Sequence, residues 1–223
     1  MLHNTDEAKR IEALHKLKIL DTNAEQDFDD IVTLAAKICN TPISIISFVD
    51  INRQWYKAKI GVDYSETPRN ISICSQAIAH DILIIPDLLK DERFVNNPFV
   101  TNTPLLRFYG GITLKTEDGF ALGALCVMDT IPKVLDEGQI WALRVLARQV
   151  IKHIHLRSQV LDSESKLTAY FNSTTEEVFL VDPRNNVLAF NREAERNSEL
   201  MFGLQVKIGS SMLLYVEPHL HKK

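Results

Sequence analysis

Apolar residues at helical spacing open the chain. Ala8, Ile11, Leu14, Leu17 and Leu20 fall on one stripe and predict a helix over residues 5–20, with Asn4 and Glu7 at capping-box spacing. Phe28, Ile31, Ala35 and Ile38 predict a second helix over residues 25–39, and Asp21 and Thr22 offer cap chemistry between the two. After Pro42 the period changes. "ISIISFVD" is rich in β-branched residues, "DINR" is a polar turn, and "QWYKAKIG" alternates, with Tyr56, Ala58 and Ile60 facing away from Trp55, Lys57 and Lys59. The pattern is a β-hairpin. Residues 62–70 read as a polar loop, residues 75–80 as a short helix, "ILIIPD" as a third strand, and residues 88–104 as irregular.

The stretch "RFYGGITLKTEDGFALGALCVMD" holds four of the eight glycines. Two strands, residues 106–115 and 120–128, flank an Asp118-Gly119 turn signal. Leu122, Ala124 and Cys126 alternate with Ala121, Leu125 and Val127, so both faces of that strand are apolar and both need cover. No Lys-Ser/Thr follows the glycines to open a helix, which rules out a phosphate-cradling loop. Gly110, Gly111 and Gly123 are instead expected to admit a close approach by a helix or ligand.

A long helix follows from about Asp136 to Leu161 or beyond. Leu143, Val150, Ile154 and Leu161 lie near heptad spacing, and Ile140, Ala147 and Ile151 form a neighbouring stripe. Two stripes predict two partners: the sheet of the same chain and a second helix. Near Ser163-Glu164-Ser165 the composition breaks, and "EEVFLVDPRNNVLAFN" reads as a second hairpin followed by a helix, "REAERNSELMF". The residues left are too few to close another sheet, so this part is expected to be a fragment of a domain, and the chain the front end of a longer protein.

Charge and cysteine usage narrow the function classes. The formal net charge is −4, and only the short tail from His219 to Lys223 is basic, so there is no electrostatic footprint for nucleic acid. No apolar run is long enough to span a bilayer, and the polar start is unlike a secretory signal. Cys39, Cys74 and Cys126 are an odd number without a CxxC pair, which argues against a disulfide framework or a metal site and for a cytoplasmic location.

The order of these elements, with "PISIISFVDINRQWYKAKIG", "ISICSQAIAHD", "DERFVNNPFV" and "LRFYGGITLKTEDGFALGALCVMD", resembles a GAF domain. The match is nearest to those of bacterial sensor histidine kinases and diguanylate cyclases. Residues 163–217, with "YFNSTTEEVFLVDPRNNVLAFNREAERN", resemble the first half of a PAS domain. The implied fold class is α+β: a central antiparallel sheet with helices on one face and loops over the other, a long C-terminal linker helix, and an incomplete PAS-like unit. The implied domains are a GAF domain at 1–155, a helical linker at 156–168, and a partial PAS-like domain at 169–223. The resemblance implies a cytoplasmic signalling module of a two-component system that forms a homodimer through its long helix and relays a signal to an output domain. On that reading the chain itself is not an enzyme, and no residue is catalytic or binds a metal.

The generic GAF pocket would draw on Trp55, Cys74, Ser75, Asp87, Phe94, Arg107 and Tyr109, closed by loops around residues 62–75 and 88–105. Such a set suits a small polar or aromatic metabolite. The alternative is plain core, with Trp55 and Tyr109 packed inside and Arg107 paired to Asp87 or Asp91. No cofactor is named. Cys74 is followed by Ser75 where bilin-binding relatives usually have histidine, the cyclic-nucleotide signature is missing, and His80 is the one histidine placed for haem. His153 and His155 lack the flanking Glu and Pro of a phospho-acceptor motif. Two further readings stay open: a thiol enzyme resembling free methionine-(R)-sulfoxide reductase, using Cys74 with Cys126 an inert buried thiol, and a scaffold with no ligand.

Overall fold

The computed structural model describes residues 4–216, with the side chains of Asn4, Thr5 and Val216 outside that description. The Asn4 capping box and the basic tail from His219 therefore lie outside the described residues. In chain order the elements are α1 (Asn4–Lys16), α2 (Gln26–Cys39), β1 (Ile43–Val49), β2 (Arg53–Ile60), β3 (Glu66–Pro68), α3 (Cys74–Ala77), β4 (Ile82–Ile85), α4 (Pro98–Thr101), β5 (Phe108–Lys115), β6 (Ala121–Asp129), α5 (Glu137–Ser173), β7 (Phe179–Val181), β8 (Val187–Phe190), α6 (Arg192–Phe202) and α7 (Leu213–Val216). The chain divides into two compact units, residues 1–158 and 159–223, with the boundary inside α5. Among the described residues no helix is long and apolar enough to cross a membrane.

In the first unit, six antiparallel strands lie in the order β3-β2-β1-β6-β5-β4. One face carries α1, α2 and the first half of α5. Leu14, Phe28, Val32, Ala35, Leu143, Ala147, Val150 and Ile154 bury there against Ile46, Phe48, Leu114, Leu125 and Val127. Short segments and loops cover the other face. Ile73, Cys74, Ala77, Leu88, Phe94, Val100 and Leu106 pack there onto Ile43, Ile45, Tyr56, Tyr109, Cys126 and Met128. Both faces are covered, which explains why the strands are apolar on both parities.

Two bulges shift the alternation that the sequence implies. Ile46 pairs with Ala58 while Ser47 pairs with Tyr56, so Lys57 is an extra residue in β2. Beyond it Ala58 joins Trp55 on the helix face, leaving Tyr56 on the other. Leu114 pairs with Gly123 and Lys115 with Ala121, which makes Leu122 the extra residue of β6 and turns it towards the helices.

The helix ends also differ from the simplest reading. α1 stops at Lys16, and Lys18 and Asp21 take positive φ in the connection to α2. Asp21 and Thr22 do not cap α2. Its N-cap is Glu25, without a side-chain cap bond, while Asp21 accepts from Arg53 and Thr22 from Lys57. A buried lysine and a half-buried arginine take up these two groups. At the start of α5 the reciprocal bonds Gln139 N to Asp136 Oδ1 and Asp136 N to Gln139 Oε1 form a cap. Of the two α5 stripes, Leu143, Ala147, Val150 and Ile154 are buried in the unit's own core and Ile140 and Ile151 pack beside them, whereas Leu161 is not part of that core. The apolar residues that α5 exposes are others: Trp141, Leu156, Val160, Leu167 and Tyr170.

Gly111 and Gly123 of the β5–β6 hairpin admit neither a helix nor a ligand. A Cβ on Gly111 would lie 2.8 Å from the Tyr109 ring carbon Cζ, and one on Gly123 would lie 2.8 Å from the Phe48 Cα of β1. The first makes room for a neighbouring side chain, the second for the next strand's backbone.

In the second unit β7 and β8 pair as a hairpin. Asn191 is buried at its end, accepting from Val178 N and Ala194 N and donating to the Glu176 carbonyl, so it locks the hairpin to α6. A small core of Val187, Val206 and Tyr215 completes the unit, with Phe179 stacked on Tyr215.

Candidate functional site

The loop-covered face of the first sheet gathers the chain's chemistry. β6 runs through the sheet's interior and presents Cys126 on the same face as Ala124 and Met128. β5 places Tyr109 beside it, because Tyr109 pairs with Met128 and Gly111 with Cys126. The one-turn helix α3 begins at Cys74 and drops that thiol onto the pair. Its Sγ lies 3.7 Å from Cys126 Sγ and accepts the Tyr109 hydroxyl at 3.2 Å. All three side chains are buried.

A polar string anchors α3 against this face. Gln54 Nε2 donates to Ser47 Oγ at 2.7 Å, Ser72 Oγ donates to Gln54 Oε1, and Ser75 N donates to Ser72 Oγ at 3.0 Å. The string satisfies the polar atoms that the start of α3 would otherwise bury unpaired. Proton binding at the two thiols is coupled. The hydrogen bond between them lowers the Cys74 thiol's pKa against the opposing effect of burial, with help from Tyr109, Ser47 and Gln54. The same hydrogen bond, with burial, pushes Cys126 well above the ordinary thiol range. One proton leaves the pair more readily than the second. Burial likewise raises Tyr109, so its hydroxyl stays a donor.

The residues that the sequence groups as a pocket separate in space. Cys74, Phe94 and Tyr109 meet in this one apolar cluster. Trp55 lies on the opposite face, stacked on Phe48 at 6.5 Å among the helices, and Tyr56 takes the place expected of it. Ser75 donates to the Arg69 carbonyl and lines an open groove of about 550 Å³ with Arg69, Asn70 and Gln76. Asp87 caps a single turn by accepting from Leu89 N, and it borders an open groove of about 670 Å³. Arg107 donates to the carbonyls of Val100 and Leu106, and Asp91 pairs instead with Arg93. Side chains of α3 and of residues 88–106 fill the space over the sheet where a ligand would sit.

Cys126 is the residue whose place the sequence reading missed. Its apolar neighbours Leu125 and Val127 face the helices, and strand alternation alone puts Cys126 on the other side with Tyr109. The histidines of α5 have structural partners or surroundings. His153 Nε2 is 2.8 Å from Asp27 and its ring meets Phe28 edge-on, and His155 borders a groove with Glu12 and Phe120.

A second polar centre ties the sheet to α5. Lys57 sends its buried ammonium to Glu25 Oε1 at 2.6 Å, to the Asn23 carbonyl and to Thr22 Oγ1. Arg157 of α5 reaches the same Glu25 oxygen at 3.2 Å. Burial pushes the Glu25 carboxyl up, and the hydrogen bonds and charges of Lys57 and Arg157 more than reverse it.

The fold aligns with solved structures. The GAF domain of an Acinetobacter phosphoenolpyruvate-protein phosphotransferase aligns with a TM-score of 0.50 at 16% identity, covering 72% of this chain and 99% of that one. The fold is that of a GAF domain. A domain assigned to a two-component sensor histidine kinase protein of Sinorhizobium meliloti aligns with a TM-score of 0.51 at 16% identity, covering 64% of this chain and 99% of that one. No family model matches the chain. Among curated proteins, the cyclic di-GMP phosphodiesterase PA2567 of Pseudomonas aeruginosa is 40% identical over 156 residues, which is 69% of this chain and 27% of the enzyme. That relative is an enzyme, and neither a kinase nor a cyclase by name. It overturns the expectation that the chain is not an enzyme, which rested on a fold that gives no sign of the chemistry it accompanies.

Proposed function

We propose that this chain is the regulatory portion of a cyclic di-GMP phosphodiesterase, a GAF-fold module that passes its state along α5 as one of a pair of helices in a homodimer. The observation that carries this reading is the 40% identity with the Pseudomonas aeruginosa enzyme, of which the chain spans about a quarter. Residues 1–155 form the GAF domain in this proposal, residues 156–168 the linker, and residues 169–223 the opening of a PAS-like domain, in a cytoplasmic protein.

The packing supports relay by helix rearrangement over relay from a preformed ligand cavity. The loop-covered sheet face is filled by Phe94, Leu88, Val100 and Tyr109, so a small molecule would have to displace side chains to enter. Leu156, Val160, Leu167 and Tyr170 are exposed on α5 at three-, four- and seven-residue intervals, the spacing of a helix seam. A second copy of the same helix fits that seam without further specialisation. Any signal that favours one packing of the helix pair shifts its equilibrium by the difference in free energy.

The test is hydrolysis of cyclic di-GMP by the full-length protein and by its Leu156→Glu/Val160→Glu variant. Turnover that changes several-fold in the variant is the expected result. A full-length protein with no turnover overturns the phosphodiesterase assignment, and turnover untouched by the double substitution overturns the helix relay alone.

A further inference from the structure

The Cys74–Cys126 pair has a chemistry that the relay does not use. Two thiol sulfurs at 3.7 Å are in contact, and a disulfide needs them to close to about 2 Å. Cys126 belongs to the rigid middle of the sheet, whereas Cys74 rides on a single helical turn preceded by another short turn, Arg69–Ile71. The approach is therefore a small movement of α3 towards β6. The third thiol, Cys39, is buried in the helix-side core, across the sheet from the pair. The open groove lined by Arg69, Asn70, Ser75 and Gln76 ends at residues adjacent in sequence to Cys74, whose sulfur is itself buried, so a small oxidant reaches that sulfur from the groove when α3 shifts.

We propose that Cys74 and Cys126 form a reversible dithiol–disulfide site, oxidised by a small hydroperoxide. The Cys74 sulfur, as thiolate, attacks the terminal peroxide oxygen. The O–O bond breaks, Cys74 becomes a sulfenic acid, and the departing alkoxide takes a proton and leaves as an alcohol. Cys126 sulfur then attacks the sulfenic sulfur, the S–S bond forms, and the hydroxyl leaves as water with the Cys126 proton. The sum is two thiols and one hydroperoxide giving one disulfide, one alcohol and one water. A dithiol reductant reverses it by two exchanges, leaving as its own cyclic disulfide. Tyr109 donates to Cys74 in the reduced state, holding the attacking sulfur in place. The bond fastens α3 to β6 and fixes the packing of the loop-covered face.

The test treats reduced, native protein with about one equivalent of tert-butyl hydroperoxide and reads intact mass and peptide maps. The expected result is a loss of about 2 Da, a crosslinked Cys74–Cys126 peptide, and recovery with dithiothreitol. Cys39→Ser keeps that result, and Cys126→Ser traps a dimedone-reactive sulfenic acid at Cys74. Native protein that keeps both thiols while a denatured sample oxidises overturns the proposal. So does wild-type protein that accumulates sulfinic acid at Cys74, or a disulfide that includes Cys39.

Discussion

Lys57 Nζ and Glu25 Oε1 lie 2.6 Å apart, with the lysine side chain fully buried and the glutamate about one-third exposed. The pair is asymmetric, because Glu25 keeps Arg157 when Lys57 is lost, whereas Lys57 keeps two neutral oxygens and the Phe28 ring when Glu25 is lost. Removing the partner of a buried charge costs more than replacing that charge by an apolar group of similar size. Glu25→Ala is expected to destabilise by about 2–3 kcal/mol and Lys57→Met by under about 1 kcal/mol, read from urea unfolding midpoints. Equal losses would contradict this assignment.

Glu7 supplies an acid-dependent part of the stability. Its hydrogen bond with Arg10, opposed by burial and reinforced by Arg69, lowers its pKa from 4.5 to about 2. A carboxyl depressed in the folded state contributes stability that is fully present above its unfolded pKa and is lost as pH falls through the folded one. Wild-type protein should therefore lose about 1 kcal/mol between roughly pH 5 and pH 2 that Glu7→Gln does not lose. Parallel acid-unfolding curves for the two proteins would remove Glu7 from this role.

Gly111 is held by the ring of Tyr109. A methyl group there must push the buried ring off Cys74, and Gly111→Ala is expected to cost about 2–3 kcal/mol. Gly119 has open space around it and a φ of 86°, so Gly119→Ala should cost nearer 1 kcal/mol, from backbone strain alone. Thermal unfolding of the two variants separates crowding from strain. A Gly111→Ala protein as stable as wild type would contradict the packing described.

Ser44 carries a buried hydroxyl without a hydrogen-bond partner on strand β1. Removing an unsatisfied polar group relieves its desolvation cost, so Ser44→Ala should be neutral or stabilising by up to about 1 kcal/mol. A clear loss of stability would show that the hydroxyl has an unseen role.

Much of the GAF fold was legible in the sequence, because period-2 and period-3.6 patterns mark strands and helices whatever their neighbours are. The strand hairpins, the Asp118-Gly119 turn and the origin of α5 near Asp136 follow from local pattern. The side that each residue faces did not, wherever a bulge intervened. Lys57 and Leu122 each add one residue to a strand, and no local signal in "QWYKAKIG" or "DGFALGAL" marks the insertion. Trp55 was misplaced for a related reason: the hydrophobic alternation of β2 is the same whichever face is called the pocket. The Cys74–Cys126 contact joins residues far apart in sequence, and only the pairing of β5 with β6 brings Tyr109 to the same place. The stripes of α5 were visible but ambiguous, since period alone does not tell a sheet from a second helix as the surface that buries them.

The helix-pair relay is tested most directly by the mass of the chain in solution. Light scattering at tens of micromolar should give twice the 25.4 kDa chain mass for the wild type and the chain mass for Leu156→Glu/Val160→Glu. A wild-type protein that stays at 25.4 kDa across that range would contradict the relay.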